Sequence, residues 1–128
     1  MRRVVLDASA FLAWFSSGPG QSVRADYQAG ALRVHVPSSF TADTLEAAHA
    51  RHALGRDALE RLGRELDRIG FVVDDAPAGE LAAWLGRGCD ARRAAYGALA
   101  SAHEIPLLSE DEQTLRVASS VALDPKRW

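Results

Sequence analysis

The sequence predicts an α/β domain: a central parallel sheet of four to five strands, flanked by helices in three layers. Three observations lead there. Short apolar, partly β-branched runs at residues 3–6, 32–36, 71–73 and 105–108 have the length and composition of buried strands. The segments between them are long enough for crossover connections and several carry helical apolar spacing. The punctuating residues, such as Gly18, Gly30, Pro37, Gly55 and Pro77, fall at the joins.

Taken in order, residues 3–6 read as a strand and 8–15 as a helix ended by Ser16-Ser17-Gly18. Pro19 suits the first turn of a helix through about Ala29, and Gly30 ends it. Leu32, Val34 and Val36 alternate as a strand, and Pro37-Ser38-Ser39 opens a helix to about His52. After Gly55 a helix runs to Ile69 with Leu59, Leu62, Leu66 and Ile69 on one stripe. Residues 71–73 form a strand, and Pro77 starts a helix carrying Leu81, Trp84 and Leu85. From about Asp90 to His103 a helix turns Ala95, Leu99 and Ala102 inward. Residues 105–108 are a strand, 112–119 a last helix, and Val121-Ala122-Leu123 an edge strand.

The 128 residues are read as one domain, 1–128, with no internal repeat or linker. No run approaches the roughly 20 apolar residues of a membrane span. The apolar N-terminal stretch is broken by Asp7, which argues against a signal peptide. A single cysteine, Cys89, rules out an internal disulfide and suits a reducing cytoplasm. The net charge of −2 does not advertise nucleic-acid binding, although a local basic face can suffice. Arginines gather at 51, 56, 61, 64 and 68 and again at 87, 92 and 93; the first group reads as a solvated face.

The acids carry the functional signal. Asp7 closes the first apolar run, and Asp111 follows the strand at 105–108. In a parallel sheet both then lie at the carboxyl edge, where ligands bind. Asp7 also suits the N-cap of the next helix. Asp43 sits beside the stripe of Phe40, Thr44 and Ala47, with Glu46 one turn on. Gathered carboxylates repel and raise each other's pKa, and a divalent cation with hard oxygen ligands, Mg²⁺ or Mn²⁺, reverses that cost. Such an ion polarises a phosphate and activates water. His49 and His52, three apart with no further ligand nearby, do not make a zinc pattern.

Four segments resemble one family. Val4-Val5-Leu6-Asp7-Ala8-Ser9-Ala10 is similar to the opening strand and Asp-Ala-Ser-Ala of PIN domains, in particular the VapC-type ribonuclease toxins of bacterial toxin–antitoxin operons. Val36 to Asp43 resembles the segment with the family's second acid, usually Glu. Ala94-Ala95-Tyr96-Gly97-Ala98-Leu99-Ala100 resembles its third helix motif, and Pro106-Leu107-Leu108-Ser109-Glu110-Asp111 its last strand exit. The resemblance implies a PIN-like fold and hydrolysis of RNA with Mg²⁺ or Mn²⁺, leaving a 5′-phosphate and a 3′-hydroxyl. It implies Asp7 and Asp111 as metal ligands, Asp43 as a direct or water-mediated one, and Ser109 as an orienting neighbour. It further implies a homodimer, a cognate antitoxin that silences the site, and no membrane.

Two departures stand out. Asp43 replaces the usual Glu, and Arg93 stands where the third acid belongs, three residues before Tyr96. A guanidinium has no acceptor and stays charged, so it repels a cation. Either Asp90, one turn earlier, or Glu46 supplies the missing carboxylate, or Arg93 itself fills the metal's place and the protein binds RNA or a protein partner without cutting.

Overall fold

A computed structural model describes residues 1–16 and 18–128. Ser17, part of the expected stop of the first helix, lies outside the described residues. Among these residues five parallel strands form one sheet in the order β3-β2-β1-β4-β5: β1 (Arg2–Leu6), β2 (Leu32–Val36), β3 (Val72–Val73), β4 (Leu107–Leu108) and β5 (Ala122–Leu123). Among the described residues seven α-helices flank it: α1 (Ala8–Leu12), α2 (Gly18–Gln28), α3 (Phe40–His52), α4 (Arg56–Arg68), α5 (Ala78–Gly86), α6 (Ala91–His103) and α7 (Glu112–Val117).

Strand β1 is the centre. Val4, Val5 and Leu6 are all fully buried, so both faces of the sheet are covered there. Val4 pairs Val34 on one side, and Val5 pairs Leu107 on the other. The chain moves from β1 to β2 on one side and later to β4 on the opposite side. The crevice beyond the carboxyl ends of β1 and β4 is therefore a topological switch point, where parallel sheets place ligand sites.

One flank is aromatic: Phe11 lies 5.2 Å from Trp14, 5.7 Å from Phe40 and 5.9 Å from Phe71 between ring centroids. On the other, α6 lies over β1 and β4 and under α5. Gly97 makes that packing possible, because a Cβ there would meet the Trp84 ring at 2.9 Å.

The elements follow the sequence expectations with local differences. The helix expected over 8–15 stops at Leu12 and tightens into a 3₁₀ turn over Ala13–Phe15. Its last turn is constrained by Gly20 of α2, whose backbone comes so close that a Cβ would clash with the Ala13 carbonyl. Helix α3 begins at Phe40, not Pro37; the intervening turn is held by the Ser38 N–H, which donates to Asp75 at 3.0 Å. The inward face of α6 is wider than the stripe of Ala95, Leu99 and Ala102 expected from the sequence, and of those three only Leu99 is fully buried. Ala102 is exposed and Ala95 only half-buried, while Ala94, Tyr96, Gly97, Ala98, Leu99 and Ala100 are buried. A helix sandwiched between the sheet and α5 buries most of its circumference, which a single stripe does not describe. Of the apolar residues carried by α5, Trp84 is buried and Leu85 is 43% exposed. No helix among the described residues is long and apolar enough to cross a membrane.

Candidate functional site

Beyond the carboxyl ends of β1 and β4 lies a cleft of about 240 Å³, lined by Asp7, Ser9, Asp43, Asp90 and Asp111 together with Arg51, Arg92, Arg93, Tyr96 and Thr114. Four segments far apart in sequence supply its acids.

Asp7 caps α1 and lines the cleft at the same time. Its Oδ1 accepts from the Ala10 N–H at 3.0 Å and from the Ser9 hydroxyl at 2.6 Å, and its Oδ2 from the Ser109 hydroxyl at 2.5 Å. Burial pushes its pKa up, against the pull of the hydrogen bonds from Ser109, Ser9 and Ala10. Ser109 leaves β4, so its hydroxyl ties the exits of the two adjacent strands together; it also accepts from the Asp111 N–H at 3.1 Å. The Ser9 hydroxyl repeats the arrangement by accepting from the Glu110 N–H at 2.9 Å.

Asp43 is buried in the first turn of α3 and accepts from the Tyr96 hydroxyl at 2.8 Å. Burial, followed by that bond, pushes the Tyr96 phenol well above its ordinary range, so it remains a donor. The other oxygen of Asp43 faces Arg92 Nε at 3.3 Å. Arg92 also reaches Glu46 at 2.9 Å. Glu46, considered as a replacement acid, is exposed on α3 outside the cleft lining and serves as the outer partner of Arg92.

Asp111 caps α7, its Oδ2 accepting from the Thr114 N–H at 2.9 Å and the Thr114 hydroxyl at 2.7 Å. The same oxygen accepts from Arg93 Nε at 2.9 Å. Burial alone would raise the Asp111 pKa; the bonds from Arg93 and Thr114 outweigh it and hold the carboxyl at about 2. Asp90 caps α6 through the Arg93 N–H at 2.9 Å and pairs with the Arg93 guanidinium at 2.5 Å. The bond from the Arg93 N–H is the main reason its pKa is lowered, with burial opposing.

Asp7, Asp43, Asp90 and Asp111 therefore share one cleft, and Ser109 touches Asp7 directly. Arg93 points inward and bridges two of the acids. Sequence reasoning missed Arg92, Tyr96, Ser9 and Thr114 as cleft residues. The Asp7-Ala8-Ser9 and Asp111 to Thr114 spacings, an acid followed by a hydroxyl at the start of a helix, carried a signal for two of them. Nothing in the sequence joins Arg92 to α3. Arg51, read as part of a solvated face, lines the cleft. His49 bonds the Leu54 carbonyl at 3.1 Å near the end of α3, and His52 lies beside a second hollow with Arg51 and Glu110.

The carboxylates have the hard oxygens that Mg²⁺ or Mn²⁺ selects. In this arrangement they are already committed to arginines, hydroxyls and helix caps. Among the described residues, no three acidic, histidine or cysteine side chains are grouped to hold an ion. As it stands, the cleft does not fit a resident cation.

A family model for the PIN domain matches residues 4–120, and the chain belongs to that family. Among solved structures it is similar to the crystal structure of PAE2754 from Pyrobaculum aerophilum, at 21% identity and a TM-score of 0.72, covering 98% of this chain and 91% of that one. It is also similar to the crystal structure of FitAcB from Neisseria gonorrhoeae, at 15% identity and a TM-score of 0.69, covering 98% and 99%. At these identities the likeness concerns the fold. No curated protein matches the chain.

Proposed function

We propose that this PIN-domain chain is a nuclease-type toxin of a toxin–antitoxin pair and that it hydrolyses RNA phosphodiester bonds in the cleft between α3 and α6. The observation that carries the reading is the meeting of Asp7, Asp43 and Asp111 at the switch point of the sheet. Family membership and the four motif segments in order support it. The chain's own contribution is a fixed carboxylate, Asp7, oriented by Ser9 and Ser109. Beside it stand three guanidinium groups, of Arg51, Arg92 and Arg93, whose charge and forked donors suit a phosphodiester backbone. The resemblance implies Mg²⁺ or Mn²⁺ as cofactor, a homodimer, and a cognate antitoxin that covers the same cleft.

A second reading has an observation of its own. Arg93 bridging Asp111 and Asp90 favours a chain that binds RNA or a protein partner without cutting it. A cleavage assay separates the two. Purified protein with end-labelled RNA and millimolar Mn²⁺ should cut internally, and Asp7→Asn should lower the rate roughly a hundredfold or more, as expected when a charge that favours the transition state is lost. RNA left intact by the unmodified protein, yet retained in a filter-binding assay, would establish the second reading instead.

A further inference from the structure

We propose that Arg93 locks the cleft against a divalent cation in the RNA-free protein, its guanidinium standing in for the metal between Asp111 and Asp90 until an RNA phosphate draws it away. The inference rests on the nuclease reading of the cleft for its consequence, but on the geometry for its substance.

Arg93 leaves α6 one turn after Asp90, and its side chain is three-quarters buried. Nε donates to Asp111 at 2.9 Å and Nη1 to Asp90 at 2.5 Å. The Arg93 N–H holds the other oxygen of Asp90 at 2.9 Å, so one residue occupies both oxygens of that carboxylate. The Asp111 oxygen that meets Arg93, Oδ2, also accepts from both donors of Thr114, so its lone-pair directions are already taken. An arginine keeps its proton throughout the working pH range, so the bridge does not open by titration. A cation entering beside it would meet a like charge in a partly buried space, where repulsion is weakly screened.

The bridge is nonetheless replaceable. Arg93 stands on the cleft wall, and a phosphate offers the guanidinium a bidentate, doubly hydrogen-bonded partner of the kind arginine prefers. RNA in the cleft and the pair Asp90 and Asp111 therefore compete for one side chain. When RNA wins, two carboxylates lose their counter-ion together, and the cleft acquires the repulsion that a divalent cation relieves. Arg92 does not share this arrangement. It is half-exposed, and its partners Asp43 and Glu46 both lie on α3.

The test measures Mn²⁺ binding without RNA, by thermal melting, on the unmodified protein and on Arg93→Asp and Arg93→Gln. A native-state ligand raises the melting temperature, by roughly 5 °C for a domain of this size at ten times its dissociation constant. The unmodified protein should show no saturable shift, and Arg93→Asp should show one of that order. Arg93→Gln removes the charge without adding an acid and remains informative if the aspartate variant fails to fold; it should bind Mn²⁺ more tightly than the unmodified protein. A saturable shift in the unmodified protein equal to that of Arg93→Gln overturns the lock. RNA cleavage is scored separately on the same samples. If the variants gain Mn²⁺ binding but none of the proteins cuts RNA, the lock stands and the nuclease reading falls.

Discussion

Helix α6 carries a charged cluster at each end, and the two are built on different chemistry. At its N-terminal end Asp90, Arg93 and Asp111 pair permanent charges, and each hydrogen bond has a fixed donor. At its C-terminal end His103 meets Asp74 at 2.8 Å and Arg3 at 3.3 Å, and its ring lies 5.1 Å from that of His35, whose Nε2 accepts from Arg3 at 3.2 Å. There the donor and acceptor roles depend on which nitrogen of each imidazole carries the proton. The first end does not open by titration in the working pH range. The second is conditional on the proton of His35. Both hang on one helix, whose position is fixed in the middle by the contact of Gly97 with Trp84.

The largest effect should come from breaking that middle. In Gly97→Val the new side chain enters space filled by the fully buried Trp84 ring, and neither the sheet nor α5 can withdraw without opening the core. Overpacking of this kind costs about 3 kcal/mol, seen as a lower urea midpoint. Because α6 must shift as a body, both terminal clusters should loosen together, with amide exchange rising at Arg93 and at His103. Loss of protection at one end alone would show that the two ends are held independently.

The same division separates what is legible in the sequence from what is not. Elements and topology are, because β1 and β2 are short apolar runs and the crossovers carry their own punctuation. The meeting of Asp7 and Asp111 at one sheet edge is equally legible, since each follows a strand and parallel strands share a direction. The partners are not. Arg92 and Arg93 are neighbours in sequence but reach different acids, Arg92 toward α3 and Arg93 toward α7, because successive residues on a helix point about 100° apart. The contact of Arg3, His35, His103 and Asp74 joins β1, β2, the exit of β3 and the end of α6, with no spacing that announces it. Long side chains that cross between elements are decided by packing, and packing is what a periodicity does not contain.

A smaller effect separates two acids of the same cleft by the sign of their pH dependence. Asp7 has its pKa raised by burial, so ionising it costs stability: its favourable contribution is complete below pH 3.8 and is lost as pH rises through its folded value. Asp111 is the reverse. Held at about 2, its contribution is present above 3.8 and lost as pH falls toward 2. Asp7→Asn keeps an N-cap for α1 and removes the buried charge. At pH 7.5 it should therefore raise stability, by about 1 kcal/mol, whereas Asp111→Asn should lower it by a similar amount through loss of a partly exposed pair. Urea melts of both variants check the signs. If Asp7→Asn is the more destabilising, its hydrogen bonds to the carboxylate outweigh the cost of burying it.

The smallest effect belongs to the conditional end. His35 is buried, and burial above all, reinforced by the neighbouring Arg3 charge, lowers its pKa. The folded protein therefore holds it neutral, with Nε2 accepting from Arg3 and the buried Nδ1 without a partner among the described residues. A lowered pKa means that the unfolded chain takes up a proton near pH 6.5 before the folded one does. Stability associated with neutral His35 is thus complete above that pH and declines as pH falls below it. Between pH 7.5 and 5.5 the loss should amount to less than about 1 kcal/mol. His35→Leu removes both the titration and the unpartnered Nδ1, and should flatten the melting temperature across this window while leaving Mn²⁺ binding by Arg93→Gln unchanged. If His35→Leu alters metal affinity at the cleft, the two ends of α6 are coupled through the helix, and the permanent pairs at one end answer to the protons at the other.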